Sequence, residues 1–322
     1  MKQISILVPV GDVSLSCIEG PYTFFNKSNE FLMSSGKPPL FNVQLVGLNR
    51  KGQVYDKFFT IYPDIAITEW DQPDLIIIPA VKGDIHGMIE ENSGFLPWIL
   101  QQYKNGAEVA SLCMGAFLLG ATGLLRQKKC STHWLAANDF RKMFPDINLV
   151  SDKIITDEHG IYSSAGGNSF WNLLLYLLEK YTDREMAIRC AKYFEIEIDR
   201  TNQLPFVVFK GPRDHQDEPI KKAQTFIENN FQSRITVVQL SILFGIGRRS
   251  LERRFKKATY ITVADYIHKV KIEAAKKSIE TGRKSIDEIM RDIGYTDTKA
   301  FRTIFKKTTG LSPIEYWNRF NA

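Results

Sequence analysis

A segment near the end of the chain occurs twice. The run ITVVQLSILFGIGRRSLERRFKKATYITVADYI, residues 235–267, returns fifty residues later as SIDEIMRDIGYTDTKAFRTIFKKTTGLSPIEYW. At that offset Thr236 falls on Ile286, Leu251 on Phe301, Phe255 on Phe305 and Ile267 on Trp317. Lys256 and Lys257 fall on Lys306 and Lys307. An internal repeat restricts the fold more than any local propensity does, because one structural unit must serve in two places. Each copy reads as a short helix, a tight break and a second helix. The break is Gly245-Ile246-Gly247 in the first copy and Gly294-Tyr295-Thr296-Asp297 in the second. Two helices joined by a glycine-containing turn form a helix-turn-helix, which points to nucleic acid.

The residues around the breaks assign the faces. Thr236 is placed to cap a helix over 237–244, and Arg248 to Ala258 follow as the second helix. Leu251 and Phe255 lie four apart and turn to the core, which leaves Arg248, Arg249, Glu252, Arg253 and Lys256 largely outward. Arg249 and Arg253 share one face and are the candidates for base edges. Arg248, Arg254, Lys256 and Lys257 suit phosphate contacts. A long helix, Val263 to Glu280, joins the copies. Ser285 with Glu288 makes a capping box for the next helix. Asp297 caps the last recognition-helix candidate, Thr298 to Thr308, whose polar surface is Thr298, Lys299, Arg302, Thr303, Lys306 and Lys307. Pro313 opens a final short helix, and Ile220 to Asn230 form an amphipathic helix ahead of the repeat.

Charge separates the two ends of the chain. Residues 1–200 hold 19 Lys/Arg against 23 Asp/Glu, and residues 201–322 hold 23 against 13. A basic end joined to a mildly acidic one suits a polyanion partner for the basic end only. The four cysteines, Cys17, Cys113, Cys130 and Cys190, have no short paired spacing, which argues against a zinc site or disulfide framework. No apolar run approaches the length of a membrane span, and no leader pattern opens the chain. The expectation is a cytoplasmic protein with no cofactor, no metal and no membrane partner.

The first 200 residues read as an α/β three-layer sandwich with a mainly parallel sheet. Apolar strands are expected at Ile4–Val10, Phe41–Leu48, Leu75–Ala80 and Ala107–Cys113, with helices between some of them and short later strands near Ile154 and Ile161. Helices are expected over Cys17–Met33, Leu96–Lys104, Gly115–Leu125, Gly166–Tyr181 and Asp183–Phe194. The domains are then 1–200, a linker 201–219 rich in turn signals, and an all-α domain 220–322 with two helix-turn-helix units. Cys113 ends an apolar strand where a helix begins, the position in which a thiol is held exposed and its pKa lowered by the helix N-terminus. His133 is the leading candidate base, with His86 and His159 the others on this domain. A buried structural cysteine is the competing interpretation.

Two resemblances follow from these motifs. Residues 1–195 resemble the class I glutamine amidotransferase-like superfamily, in its PfpI-related branch fused to transcription regulators. The matching pieces are Glu19-Gly20-Pro21, Leu75–Pro79, the Ser111–Leu119 elbow, Gly123-Leu124-Leu125, Ser131-Thr132-His133-Trp134 and Ser164-Ala165-Gly166. The resemblance implies a nucleophile position at Cys113, a histidine position at His133 and a domain that dimerises. Two positions depart from it. Cys17 stands where an aspartate is usual, with Glu19 the nearest acid, and Pro79-Ala80-Val81 replaces Pro-Gly-Gly in the oxyanion loop. Residues 220–320 resemble the AraC family of transcription regulators, most clearly over Ile286–Pro313. That resemblance implies sequence-specific binding of double-stranded DNA. The joint expectation is a homodimeric transcription regulator with a sensory or dimerisation domain open to a small-molecule effector, and not an enzyme. The alternative is a cysteine-dependent hydrolase or hydratase using Cys113, His133 and Glu19.

Overall fold

The computed structural model describes residues 1–69 and 72–321 and divides the chain into two compact units, Met1–Gln203 and Leu204–Ala322. The first unit is built on strands β1 (Lys2–Leu7), β2 (Phe41–Gly47), the hairpin β3 (Gln53–Tyr55) and β4 (Phe59–Ile61), β5 (Ile65–Ala66), β6 (Leu75–Ile78) and β7 (Glu108–Ser111). A small pair, β8 (Lys129–Cys130) and β9 (Asn148–Leu149), precedes β10 (Ile155–Asp157) and β11 (Ile161–Ser164). Seven strands make one sheet in the order β10-β11-β7-β6-β1-β2-β5, parallel except for β10. Leu75 to Ile78 are wholly buried, as a central parallel strand covered on both faces requires.

Among the described residues the helices of this unit are α1 (Ser16–Ser34), α2 (Ile85–Glu91), α3 (Phe95–Lys104), α4 (Ala116–Ala121), α5 (Ala137–Met143), α6 (Ser169–Tyr181) and α7 (Arg184–Tyr193). Helices α1, α6 and α7 pack together on the sheet, and α2, α3 and α4 form a second group. The strand order turns back beside β1: β2 lies on one side of it and β6 on the other. The loops after β1 and β6 then meet at a Val13–Val81 bridge. In open α/β sheets the carboxyl ends of the strands at such a reversal form the natural crevice.

The second unit is helical: α8 (Glu218–Asn229), α9 (Val237–Leu243), α10 (Arg248–Thr259), α11 (Val263–Glu280), α12 (Ile286–Asp292), α13 (Thr298–Thr309) and α14 (Pro313–Phe320). Side-chain caps from Asp217, Thr236, Thr262, Ser285, Asp297 and Ser312 start six of them, and Ser285 and Ser312 complete capping boxes. Two small cores result. Helix α11 contributes Val263, Tyr266 and Ile267 to the first core and Ile272, Ala275 and Ile279 to the second.

The segment expected as a linker folds in part into this unit. Leu204–Phe206 form a single 3-10 turn. The Phe209 ring meets Tyr266 edge-on, and its backbone N–H donates to Glu273 at 3.0 Å. Lys276 Nζ donates to the Val207 carbonyl at 2.5 Å. These attachments are to residues 57–69 positions later in the chain, which turn signals alone do not reveal.

The copies also differ in register by one residue. Their caps, Thr236 and Ser285, lie 49 residues apart, whereas α10 and α13 start 50 apart. Thr236 is therefore equivalent to Ser285, not Ile286, and the second turn is one residue longer. Helices α10 and α13 each end on a left-handed residue: Gly310 (φ 75°) in the second copy but Tyr260 (φ 64°) in the first. A residue with a Cβ is strained there, whereas glycine is not. Tyr260→Gly should therefore stabilise the unit by about 1 kcal/mol, read as a higher urea midpoint. Gly310→Tyr should move the midpoint the other way.

Candidate functional site

The two helix-turn-helix second helices repeat their solvent pattern residue for residue. From Arg248 to Thr259 and from Thr298 to Thr309 the order is two exposed, one half-buried and one buried, three times over. Leu251, Phe255 and Thr259 face the first core as Phe301, Phe305 and Thr309 face the second. Thr259 Oγ1 donates to the Phe255 and Ile261 carbonyls, and Thr309 Oγ1 to those of Phe305 and Leu311, all within 2.8–3.1 Å. The exposed set is Arg248, Arg249, Glu252, Arg253, Lys256 and Lys257 in one helix and Thr298, Lys299, Arg302, Thr303, Lys306 and Lys307 in the other. A helix entering a major groove presents such an outward face to base edges and phosphates.

Arg254 departs from the expectation. Its guanidinium grips the Asp217 carboxylate through two hydrogen bonds, at 2.6 and 2.8 Å, and ties α10 to the start of α8. Hydrogen bonding from Arg254 is the main reason the Asp217 carboxyl sits below its usual range. Arg254 thus spends two of its three guanidinium nitrogens on a bidentate pair within the protein. Arg248 makes a looser contact with Glu252, 3.3 Å, on an exposed turn where DNA can compete for it.

In the first unit the strand ends assemble a second site. Cys113 follows β7 with φ 54°, and a 3-10 turn, Cys113–Gly115, leads into α4. Gly115 is required here, since a Cβ would lie 2.5 Å from the carbonyl oxygens of both Ile78 and Pro79. The Cys113 N–H donates to Ser164 Oγ at 3.3 Å, and Thr132 Oγ1 donates to the Cys113 carbonyl at 2.9 Å. The His133 ring lies over Gly166, where a Cβ would meet the ring at 2.1 Å. His133 Nδ1 accepts from the Leu135 N–H at 3.1 Å, which holds the ring as the cap of a short 3-10 turn.

The electrostatics of this site run against an activated thiol. Burial, with a smaller contribution from the neighbouring Cys17, pushes the Cys113 thiol up to about 12. Burial likewise raises Cys17 and lowers His133. At neutral pH these shifts leave a protonated thiol and a neutral imidazole, not a thiolate–imidazolium pair. Glu19 is turned to solvent, where its carboxylate accepts from Thr23 Oγ1 at 2.5 Å. Two positions along α1 rotate a side chain by more than half a turn, so the buried neighbour on that helix is Cys17 and the acid points away. The carboxylate assigned to the catalytic set is therefore replaced by a second thiol.

His86 and His159 stand apart from these contacts, on α2 and beside the turn before β11. The residues around Cys113 and His133, namely Cys17, Thr132, Ser164 and Gly166, lie within or beside the quoted sequence motifs. Their roles depend on contacts that no spacing specifies. All four cysteines are free, and among the described residues no cluster of His, Cys, Asp or Glu could hold a metal ion. Among the described residues no helix is long and apolar enough to cross a membrane.

Known proteins show the same division. The DJ-1/PfpI family description matches residues 38–180, and a helix-turn-helix domain description matches residues 240–319. The HTH-type transcriptional regulator GbdR of Pseudomonas aeruginosa is 24% identical over 264 residues, covering 79% of this chain and 68% of that protein. The xylose operon regulatory protein of Escherichia coli is 34% identical over 145 residues, 41% of this chain and 37% of that one. Among solved structures, a ThiJ/PfpI family protein from Pseudomonas syringae aligns with a TM-score of 0.52 at 17% identity, covering 76% of this chain and 91% of its own. An AraC family transcriptional regulator from Pseudomonas putida aligns at 0.50 and 14%, covering 60% and 100%. At these identities the structural matches bear on fold alone. A DJ-1/PfpI-like domain joined to a helix-turn-helix domain typical of bacterial transcription regulators is the architecture of a DNA-binding transcription regulator.

Proposed function

We propose that this chain is a cytoplasmic regulator of the AraC type that binds double-stranded DNA sequence-specifically through both helix-turn-helix units. In this reading the DJ-1/PfpI-like domain joins two copies and receives a small-molecule effector without turning it over. The observation that carries the reading is the duplicated solvent pattern of α10 and α13, in which two basic faces are exposed by the same buried scaffold. Selection of bound duplexes by the full-length protein tests it. The expected product is a motif with two adjacent conserved segments, one for each recognition helix, and half-site spacing reports the dimer. Recovery of sequences with no shared motif would refute sequence-specific reading.

The positive φ of Cys113 favours a second reading, a hydrolase or hydratase using Cys113 and His133. Alkylation separates the two. A thiol titrating about four units above pH 8 is only ~0.01% thiolate there, so iodoacetamide should label Cys113 orders of magnitude more slowly than a solvent thiol. The rate should rise about tenfold per pH unit, because only the thiolate attacks. Rapid labelling at pH 7 that Cys113→Ala abolishes would support the enzyme. For the regulator, Cys113→Ala should leave effector-free DNA binding within twofold of the parent.

A further inference from the structure

Helix α9 is the first helix of the first reader, and its outer face is uncharged and largely apolar, with Gln239 its exposed polar residue. Val238, Ile242 and Leu243 are 51%, 77% and 52% exposed. The repeat provides an internal control. With Thr236 equivalent to Ser285, and the buried Leu240 equivalent to the buried Ile289, the same three places on α12 are Asp287, Arg291 and Asp292, all exposed. One fold thus carries a charged face in one copy and an uncharged apolar face in the other. Since α12 folds with charges there, the apolar residues of α9 are not required by the helix or its core.

We infer that this face of α9 meets the same face of a second copy when two copies occupy neighbouring DNA sites. Charge and area both point to that occupant. The unit carries 23 Lys/Arg against 13 Asp/Glu, so two copies repel one another over most approaches. Helix α9 (Val237–Leu243) has no charged residue, so this face can approach its own kind without repulsion. The three side chains offer roughly 300 Å² of apolar surface, and two such faces remove about 600 Å² from solvent. That is half the ~1,200 Å² needed for an interface stable by itself. A contact of that size becomes effective only when something else holds the partners close, and a shared duplex supplies the effective concentration. The face therefore sets the spacing and helical phase at which two copies bind, not whether the protein dimerises in solution.

The inference rests on the DNA-binding reading, and its test keeps the two apart. Full-length protein is titrated against duplexes carrying one selected site, or two sites at spacings stepped through a full helical turn of ~10.5 base pairs. The variant V238D/I242R/L243D transplants the α12 residues onto α9, and Ile242→Gln is a milder companion should the triple change disturb folding. The parent is expected to bind the best-spaced duplex about tenfold more tightly than the worst-spaced one. Both variants should flatten that dependence while keeping single-site affinity and solution oligomeric state. Absence of any DNA binding by the parent would defeat the regulator reading itself. Unchanged spacing dependence in the variants would overturn only the α9 contact, as would an equal loss on single-site DNA. Retained spacing dependence with reduced transcription in vitro would also overturn it, by assigning the face to the transcription machinery.

Discussion

Phe305→Ala is expected to remove about 3–5 kcal/mol from the second unit, the cost of truncating a fully buried phenylalanine. Phe305 is wholly buried between the edge of Tyr316, 5.5 Å between ring centres, and Phe301 at 5.6 Å. No backbone movement closes such a gap easily, because the ring is held on one side by α13 and on the other by α14. Against a total of ~5–15 kcal/mol for a domain, the loss should leave the unit partly unfolded at 37 °C. Urea denaturation should show a lower midpoint with little change in slope, and DNA binding should fall with the folded fraction. Lys307→Ala, an exposed change two residues away, should leave the midpoint nearly unmoved. Equal midpoints for the two variants would contradict the assignment of Phe305 to the core.

The second large effect is on sequence choice. If Arg253 reaches a guanine edge, Arg253→Ala should cost about 1–3 kcal/mol on the selected site, roughly 5- to 150-fold in Kd. Its effect on random DNA should be small. Lys257, one turn further along α10 and also exposed, is expected to contact phosphate. Lys257→Ala should weaken binding to every sequence alike and lower the salt slope by about one unit. Parallel titrations of both variants on specific and random duplexes, at several salt concentrations, separate base reading from charge. Identical behaviour on the two DNAs would dissolve the distinction between the two side chains.

Local rules made much of the second unit legible in advance. The bounds of α11, the caps at Thr236, Ser285 and Asp297, and the inward set Leu251, Phe255, Phe301 and Phe305 all follow from spacing within a turn or two. Strands β1, β2, β6 and β7 were visible for the same reason, as short apolar runs, and β10 and β11 near Ile154 and Ile161, whereas β5 was not; β1 stops at Leu7 and β7 at Ser111, short of the expected ends. The rest was fixed by partners distant in sequence. Arg254 belongs to Asp217, 37 residues earlier. Phe209 belongs to α11. The hairpin β3–β4 and the small β8–β9 pair consist of runs too short for periodicity to register. At the Cys113 site the residue types were readable, but burial controls the chemistry. A helix N-terminus beside a thiol suggests a low pKa until the surrounding side chains close over it.

Helix α11 has one more consequence, for how the two readers age together. A duplicated unit ordinarily carries redundancy: one copy can accumulate damage while the other preserves the function. Here Val263, Tyr266 and Ile267 complete one core and Ile272, Ala275 and Ile279 the other, all on a single uninterrupted helix. Loss of packing in the first reader frays the same rod that anchors the second. The spare copy is therefore no insurance, and the two readers must be kept sound as one.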